Sequence, residues 1–396
     1  MAKRLHSTAP TRDRAYLVAV DSPGAVLPAR ESLAELSELA RTAGAKVVGR
    51  ALQRRSSPQP ATYIGSGKLR EVADACIEQR ANTVIFDDEL SPSQQRNLEE
   101  QLQLKVIDRT ALILDIFAMR ASTREGRLQV ELAQTEYLLP RLRGQWSHLE
   151  RMEGAIGLRG PGETQIETDR RLVRRRMSKL KKDLEQVRVQ RELYRRQRRR
   201  SGVPVVALIG YTNAGKTTLM RALSGADQRA EDKLFATLDP VTRKMALPSG
   251  RPALLTDTVG FIQKLPTQLV ASFRATLEEL EEADVLLHVV DVSHPHAGTQ
   301  AETVEGVLRD LSVLGRPTIV ALNKIDALTC DDGSQPQTEA DARALLDGAG
   351  PVPGDIRHIS ASKGWGIDAL RDAIDAVLDG RPGAPDNGAV ALAHSR

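Results

Sequence analysis

From residue 15 to residue 115 the chain alternates short apolar runs with amphipathic stretches, and the period of each run predicts its element. Ala15–Val20, Lys46–Val48, Thr83–Phe86 and Lys105–Ile107 read as strands. Leu33, Leu36, Leu39 and Ala43 recur at helical spacing after the first run, and Ser91-Pro92 opens another helix before the fourth. Strands alternating with helices predict a small α/β domain with a mostly parallel sheet over residues 15–120.

Two long helical stretches occupy residues 121–200. Leu128, Leu132, Thr135, Leu139 and Leu142 mark the first, and Val173, Met177, Leu180, Leu184, Val187 and Tyr194 mark the second, with Arg191 interrupting. Their 4,3 spacing predicts two helices able to pack as an antiparallel hairpin, although such spacing permits several partners. Gly154, Gly157, Gly160, Pro161 and Gly162 lie between them, which places a Gly-rich tip loop at residues 144–169. Ser201-Gly202-Val203-Pro204 breaks the second helix, and Val205–Ile209 begins a second α/β domain spanning 203–380. Residues 1–14 and 381–396 are expected to be disordered ends.

Composition adds limits to this outline. At 396 residues the chain exceeds the usual size of one domain. No apolar run approaches the roughly 20 residues of a bilayer span, and no signal-peptide pattern opens the chain. Cys76 and Cys330 are far apart, without CxxC spacing, so a disulfide framework or cysteine-rich metal site is not expected. A cytoplasmic monomer is the expectation. The net charge of +4 conceals a concentration: Arg170 to Arg200 holds 15 Lys/Arg against three acids, or +12, which leaves −8 elsewhere. Such a stripe suits a nucleic-acid backbone, and a solvated helix face remains the alternative.

The second domain carries the chemistry. Gly210-Tyr211-Thr212-Asn213-Ala214-Gly215-Lys216-Thr217 matches GxxxxGK[ST] between an apolar strand and a helical stretch that opens at Thr218. Its glycines let backbone NH groups face phosphate oxygens, Lys216 adds positive charge at the β and γ phosphates, and the Thr217 hydroxyl can ligate Mg²⁺. Asp257-Thr258-Val259-Gly260 follows an apolar run, so Asp257 can hold the metal through water and the Gly260 NH can approach a γ phosphate. Between them, Phe235-Ala236-Thr237 offers Thr237 as a second hydroxyl ligand from a loop that orders around triphosphate. Asn323-Lys324-Ile325-Asp326 decides the base. The Asp326 carboxylate can accept from guanine's ring NH and its exocyclic amine together, an arrangement adenine lacks. Lys324 can lie along the base, Asn323 can tie its loop to the cradle, and Ser360-Ala361 supplies the last loop. A P-loop GTPase domain is therefore predicted. Lys216, Thr237, Gly260 and Asn213 are its candidate catalytic residues.

The whole chain resembles the HflX family of ribosome-associated GTPases. The resemblance rests on Gly157-Leu158-Arg159-Gly160-Pro161-Gly162-Glu163, continuing through Glu167 and Asp169 to Arg170 and Arg171, and on Tyr63-Ile64-Gly65-Ser66-Gly67-Lys68-Leu69. It covers roughly residues 15–380. It implies an N-terminal α/β domain and helical hairpin that bind the large ribosomal subunit and its RNA, and a GTPase that splits or rescues stalled ribosomes. Arg159, Arg170, Arg171, Arg174, Arg175, Lys181 and Lys182 are the candidate RNA contacts. Ras-like enzymes place a Gln directly after DxxG, whereas this chain has Phe261, so turnover in isolation should be slow. Asn213 stands where cation-dependent GTPases carry an asparagine, which implies K⁺ stimulation. Gly65-Ser66-Gly67-Lys68 mimics a phosphate loop but has Thr62 where its first glycine belongs, and reads as a structural turn. A GTP-gated factor in large-subunit assembly and a partner of an RNA-modifying enzyme remain alternative readings.

Overall fold

Strands that are apolar on both faces sit at the centre of each sheet. In the first sheet this is β1 (Arg14–Asp21), flanked in parallel by β2 (Lys46–Arg54) and β3 (Thr83–Phe86); β4 (Lys105–Asp108) completes the order β2-β1-β3-β4. The crossovers are α1 (Ala29–Thr42), α2 (Ser66–Glu78) and α3 (Pro92–Leu102). Val18, Ile64, Val72, Phe86, Leu98 and Val106 form its core. The turn expected at Gly65-Ser66-Gly67-Lys68 is the start of α2: Gly65 is the N-cap, and Lys68, already helical, pairs with Glu71. Helix α3 opens on a capping box made by Ser91 and Gln94.

The computed structural model describes residues 13–24, 26–145, 161–225, 234–235, 237–265, 280–311, 313, 315–330, 333–347 and 356–380. The expected disordered ends lie outside these apart from residues 13 and 14. After β4 come α4 (Arg109–Arg120), α5 (Arg124–Gln145) and α6 (Pro161–Ser201). The expected tip loop at 144–169 is narrower than its glycines suggest. Gly144 ends in α5 and residues 161–169 are helical, because proline at a first helical position costs no intrahelical hydrogen bond. Residues 146–160 lie outside the described residues. Ion pairs join Arg176 to Glu131 at 2.5 Å and Arg191 to Glu125 at 2.6 Å. The face of α5 that is buried includes Glu125, Gln129, Val130, Ala133 and Tyr137 beside Leu132, whereas Leu128 and Leu139 of the 4,3 series are only half-buried.

The second sheet has the order β10-β9-β8-β5-β7-β6. Its strands are β5 (Val205–Gly210), β6 (Val241–Ala246), β7 (Pro252–Asp257), β8 (Val285–Asp291), β9 (Thr318–Asn323) and β10 (Ile356–His358). All pair in parallel except β6, an edge strand antiparallel to β7 that carries Arg243 and Lys244. Alternate residues of the central strands serve opposite faces. Leu208, Leu255, Leu287 and Ile319 pack with α7 (Lys216–Ser224) and α9 (Ile367–Leu378), while Val290, Val320 and Leu322 meet Ala301 of α8 (Ala297–Asp310).

The chain forms two compact units. The described residues up to Ile116 associate with the described residues of 134–175, and Phe117–Ala133 associate with the described residues from Arg176 onward. The division falls within α4, α5 and α6. Contacts of Phe117, Ser122 and Thr123 and the Glu125–Arg191 and Glu131–Arg176 ion pairs tie that segment to the second unit.

Candidate nucleotide site

Strand β5 delivers Gly210 to the edge of β8, where an added Cβ would stand 2.3 Å from the carbonyl oxygen of Val289. Only glycine allows that approach, and its φ of 151° is closed to most side chains. The chain then turns through Tyr211, Thr212, Asn213 and Ala214 to Gly215, with left-handed φ at Asn213 (60°) and Gly215 (95°), and enters α7 at Lys216. Thr217 and Thr218 follow in its first turn, where unpaired amides and the helix dipole favour an anion. Lys216 is buried, and its Nζ donates to Gly210 O at 3.0 Å and Tyr211 O at 2.8 Å. Burial pushes the ammonium down to about 8, against the opposing pull of the Asp257 carboxylate.

Three oxygens from a helix, a strand and a loop converge beside it. Thr217 Oγ1 and Thr237 Oγ1 each donate to Asp257 Oδ2 at 2.8 Å, and the two hydroxyls lie 3.0 Å apart. Asp257 ends β7, and its Oδ1 is buried without a hydrogen-bond partner among the described residues. Burial raises its carboxyl above the ordinary range, outweighing Lys216, the Thr217 and Thr237 hydroxyls and the Thr258 backbone. A cluster of hard oxygens with one unsatisfied carboxylate oxygen fits Mg²⁺. Thr258 donates to Leu208 O at 2.6 Å, and Val259 is buried. A Cβ on Gly260 would meet Thr212 at 3.0 Å and Lys216 Nζ at 3.1 Å, so this backbone lies directly on the cradle. Phe261 is buried and pairs with the cradle through its backbone: its N donates to Gly210 O at 3.1 Å, and Thr212 N donates to its O at 2.7 Å.

At the far end, Asn323 closes β9 and bridges two loops, donating to Ala214 O and accepting from Ala361 N. Lys324 adopts a left-handed φ of 66° and pairs with Asp291 at 2.7 Å. Asp326 Oδ2 accepts from Ser362 Oγ at 3.2 Å, while its Oδ1 is buried with no partner among the described residues. Ser360, fully buried, and Ala361 follow β10. Cradle, oxygen cluster and the 323–326 and 360–361 loops thus gather at the carboxyl ends of β5, β7, β9 and β10, where open α/β sheets bind ligands.

Residues 30–118, 120–198 and 205–324 match three families described as GTP-binding GTPase N-terminal, GTP-binding GTPase Middle Region and 50S ribosome-binding GTPase. A GTPase HflX from Caldanaerobacter subterraneus subsp. tengcongensis is 52% identical over 367 residues, covering 93% of this chain and 81% of that one. The chain belongs to the HflX family of GTPases. A GTPase HflX from Escherichia coli is 45% identical over 350 residues, covering 88% of this chain and 80% of that one. A solved structure described as SsGBP in complex with GDP is 28% identical with a TM-score of 0.50, over 93% of this chain and 99% of that one. This HflX-family chain binds GTP and hydrolyses it.

The remaining candidate residues of this HflX-family protein are less gathered. Asn213 is exposed, and Ala236 and Arg159 lie outside the described residues. Phe235 is buried away from solvent with a left-handed φ of 55°. Arg171, Arg174, Arg175, Lys181 and Lys182 are exposed along α6, with Arg170 half-buried. Two residues escaped sequence reasoning. His288, buried in β8, has Nε2 without a partner among the described residues; burial, with Lys216 nearby, pushes its pKa down to about 4. A lone histidine in an apolar strand gave no signal of this. Asp239, two residues after Thr237, is hydrogen-bonded to Ser122 and Thr123. Its only signal was the Ser122-Thr123-Arg124-Glu125 helix-start pattern, which does not name a distant partner. Among the described residues no helix is long and apolar enough to cross a membrane, and no cluster of three His, Cys, Asp or Glu could hold a metal.

Proposed function

We propose that this GTPase is a GTP-gated factor that binds the large ribosomal subunit through its RNA and splits or rescues stalled ribosomes. The observation that carries the reading is the union, on one HflX-family chain, of the nucleotide site with α6, whose stretch from Arg170 to Arg200 holds 15 Lys/Arg against three acids. The match of residues 205–324 to the family described as a 50S ribosome-binding GTPase supports it. Residues Gly210 to Thr218 cradle the phosphates, with Lys216 neutralising charge on the β and γ groups. Thr217, Thr237 and Asp257 would hold Mg²⁺, which would offset charge on the phosphate oxygens. The Gly260 NH meets the γ phosphate. Asp326 reads guanine, with Asn323, Lys324, Ser360 and Ala361 completing the base pocket.

Phe261 offers no side-chain hydrogen bond to orient water, so free turnover is slow and rises on the ribosome. Asn213 helps hold K⁺ at the phosphates. Turnover of the free protein should then be faster in K⁺ than in Na⁺, and Asn213→Ala should erase the difference. Equal parent rates in both salts remove the K⁺ site.

Gradient profiles of ribosomes mixed with the protein and GTP, GDP or a non-hydrolysable analogue test the ribosomal role. Splitting predicts loss of intact ribosomes with GTP or the analogue but not with GDP. Accumulation of large-subunit precursors in a deletion strain, with intact ribosomes left unsplit, would favour assembly instead. No co-sedimentation in any nucleotide state would overturn both.

A further inference from the structure

Thr237 belongs to a segment without helix or strand, yet its hydroxyl stands within 3.0 Å of both Thr217 and Asp257. The groups that hold this segment lie more than a hundred residues earlier. Asp239 Oδ2 accepts from Ser122 N at 2.8 Å, Ser122 Oγ at 2.7 Å and Thr123 N at 2.8 Å, and its Oδ1 accepts from Thr123 Oγ1. Ser122 and Thr123 directly precede α5, so the carboxylate sits at the positive end of a 22-residue helix. Thr123 Oγ1 also accepts from Gly126 N at 3.0 Å, so one hydroxyl both caps the helix and grips the carboxylate.

Gly126 is part of the fit. A Cβ there would stand 2.2 Å from Asp239 Oδ1 and 3.2 Å from Thr123 Oγ1. On the other side of Thr237, the ring of Phe235 meets Phe117 of α4 edge-on, with centroids 4.6 Å apart and planes at 87°. Residues 117–126 therefore pin the switch segment on both flanks of Thr237, all within one compact unit.

We propose that Asp239 is a positioning residue for GTP hydrolysis, holding Thr237 Oγ1 beside Thr217 and Asp257 by docking the switch segment on the Ser122–Thr123 corner. The inference rests on the assignment of Thr237 to the metal and γ phosphate proposed above. A switch threonine on a free loop is ordered by its nucleotide, and the ordering cost is drawn from triphosphate affinity and rate. Docking at Asp239 meets part of that cost before GTP arrives. GDP has no γ phosphate for Thr237 to sense, so the effect is confined to the triphosphate.

The test uses the full chain and compares Asp239→Ala, Asp239→Asn, Ser122→Ala with Thr123→Ala, Gly126→Ala and Thr237→Ala. Readouts are kcat, KM, the affinities for GDP and a non-hydrolysable GTP analogue, and the melting temperature. Asp239→Ala should lower kcat and analogue affinity by about tenfold with GDP affinity unchanged, the size expected for losing charge-assisted hydrogen bonds. Asp239→Asn keeps the shape and should recover part of the loss. Removing both hydroxyls should act in the same sense and add little to Asp239→Ala, since both break one contact. Gly126→Ala raises helix propensity but displaces the carboxylate, so it should slow turnover without lowering the melting temperature. Equal losses of GDP and analogue affinity that track melting would reduce Asp239 to a structural residue and overturn the proposal. Parent behaviour in Asp239→Ala with an impaired Thr237→Ala overturns the positioning role alone. Parent behaviour in Thr237→Ala removes the assignment of Thr237 itself.

Discussion

The side-chain amide of Asn323 donates to the carbonyl oxygen of Ala214 across 2.8 Å, and that same nitrogen lies 2.3 Å from where a Cβ on Gly215 would be. The loop after β9 and the cradle after β5 are thus closely fitted to each other. Asn323→Ala would leave Ala214 O and Ala361 N without their partner in a buried setting. Each unsatisfied group costs about 1–3 kcal/mol, so GDP affinity measured by titration should fall by at least about tenfold.

Base choice should reside in Asp326, whose Oδ1 is buried and without a partner among the described residues. Asp326→Asn turns one acceptor into a donor that faces a donor on guanine. GTP binding should weaken and xanthosine triphosphate binding improve in a competition titration. Retained preference for GTP would remove the assignment.

His288 gives the protein an acid-sensitive core. Its folded pKa is about 4 against an ordinary value of 6.5, so between these values the unfolded chain binds the extra proton. Stability therefore rises with pH from about 4 to about 6.5 and gains nothing further from this group above that window. The contribution is on the order of 3 kcal/mol. Leucine is similar in size and has no proton to bind, so chemical denaturation of His288→Leu should show a flatter pH dependence across the same window. An unchanged slope would assign the acid sensitivity to other groups.

Binding to the large subunit should weaken steeply with salt, because contacts from Arg174, Arg175, Lys181 and Lys182 to phosphates release counterions. Charge reversal at these positions should lower both the affinity and the slope of log affinity against log salt. An affinity independent of salt would make the exposed basic face of α6 a solvating surface.

The nucleotide site was legible because its demands are local. Gly210 and Gly215 occupy backbone conformations or approaches that side chains forbid, Asp257 and Asn323 end apolar strands, Asp326 follows one by three residues, and Lys216 and Thr217 open the helix after the glycine turn. The strands themselves announced their burial through unbroken apolar runs such as Val205–Ile209. Helix α5 was harder. Its buried face contains Glu125 and Gln129, polar residues that are tolerated there by Arg191 and by a hydrogen bond between them, and a reading that counts only apolar residues passes over both. The docking of Asp239 was invisible for another reason: Ser122 and Asp239 are 117 positions apart, and neither belongs to a motif that names the other.

The compact unit that hydrolyses GTP is discontinuous along the chain, since Phe117–Ala133 belong to it although the second α/β domain begins only near residue 203. Interchange of parts between relatives is constrained accordingly. A hybrid that joins the portion before residue 203 of one family member to the remainder of another would inherit a complete phosphate cradle, yet its switch segment would meet a corner that had not been matched to it. Recombination that leaves turnover intact would have to carry residues 117–133 together with the distant segment around Asp239. These two stretches are expected to travel through evolution as a single inherited piece.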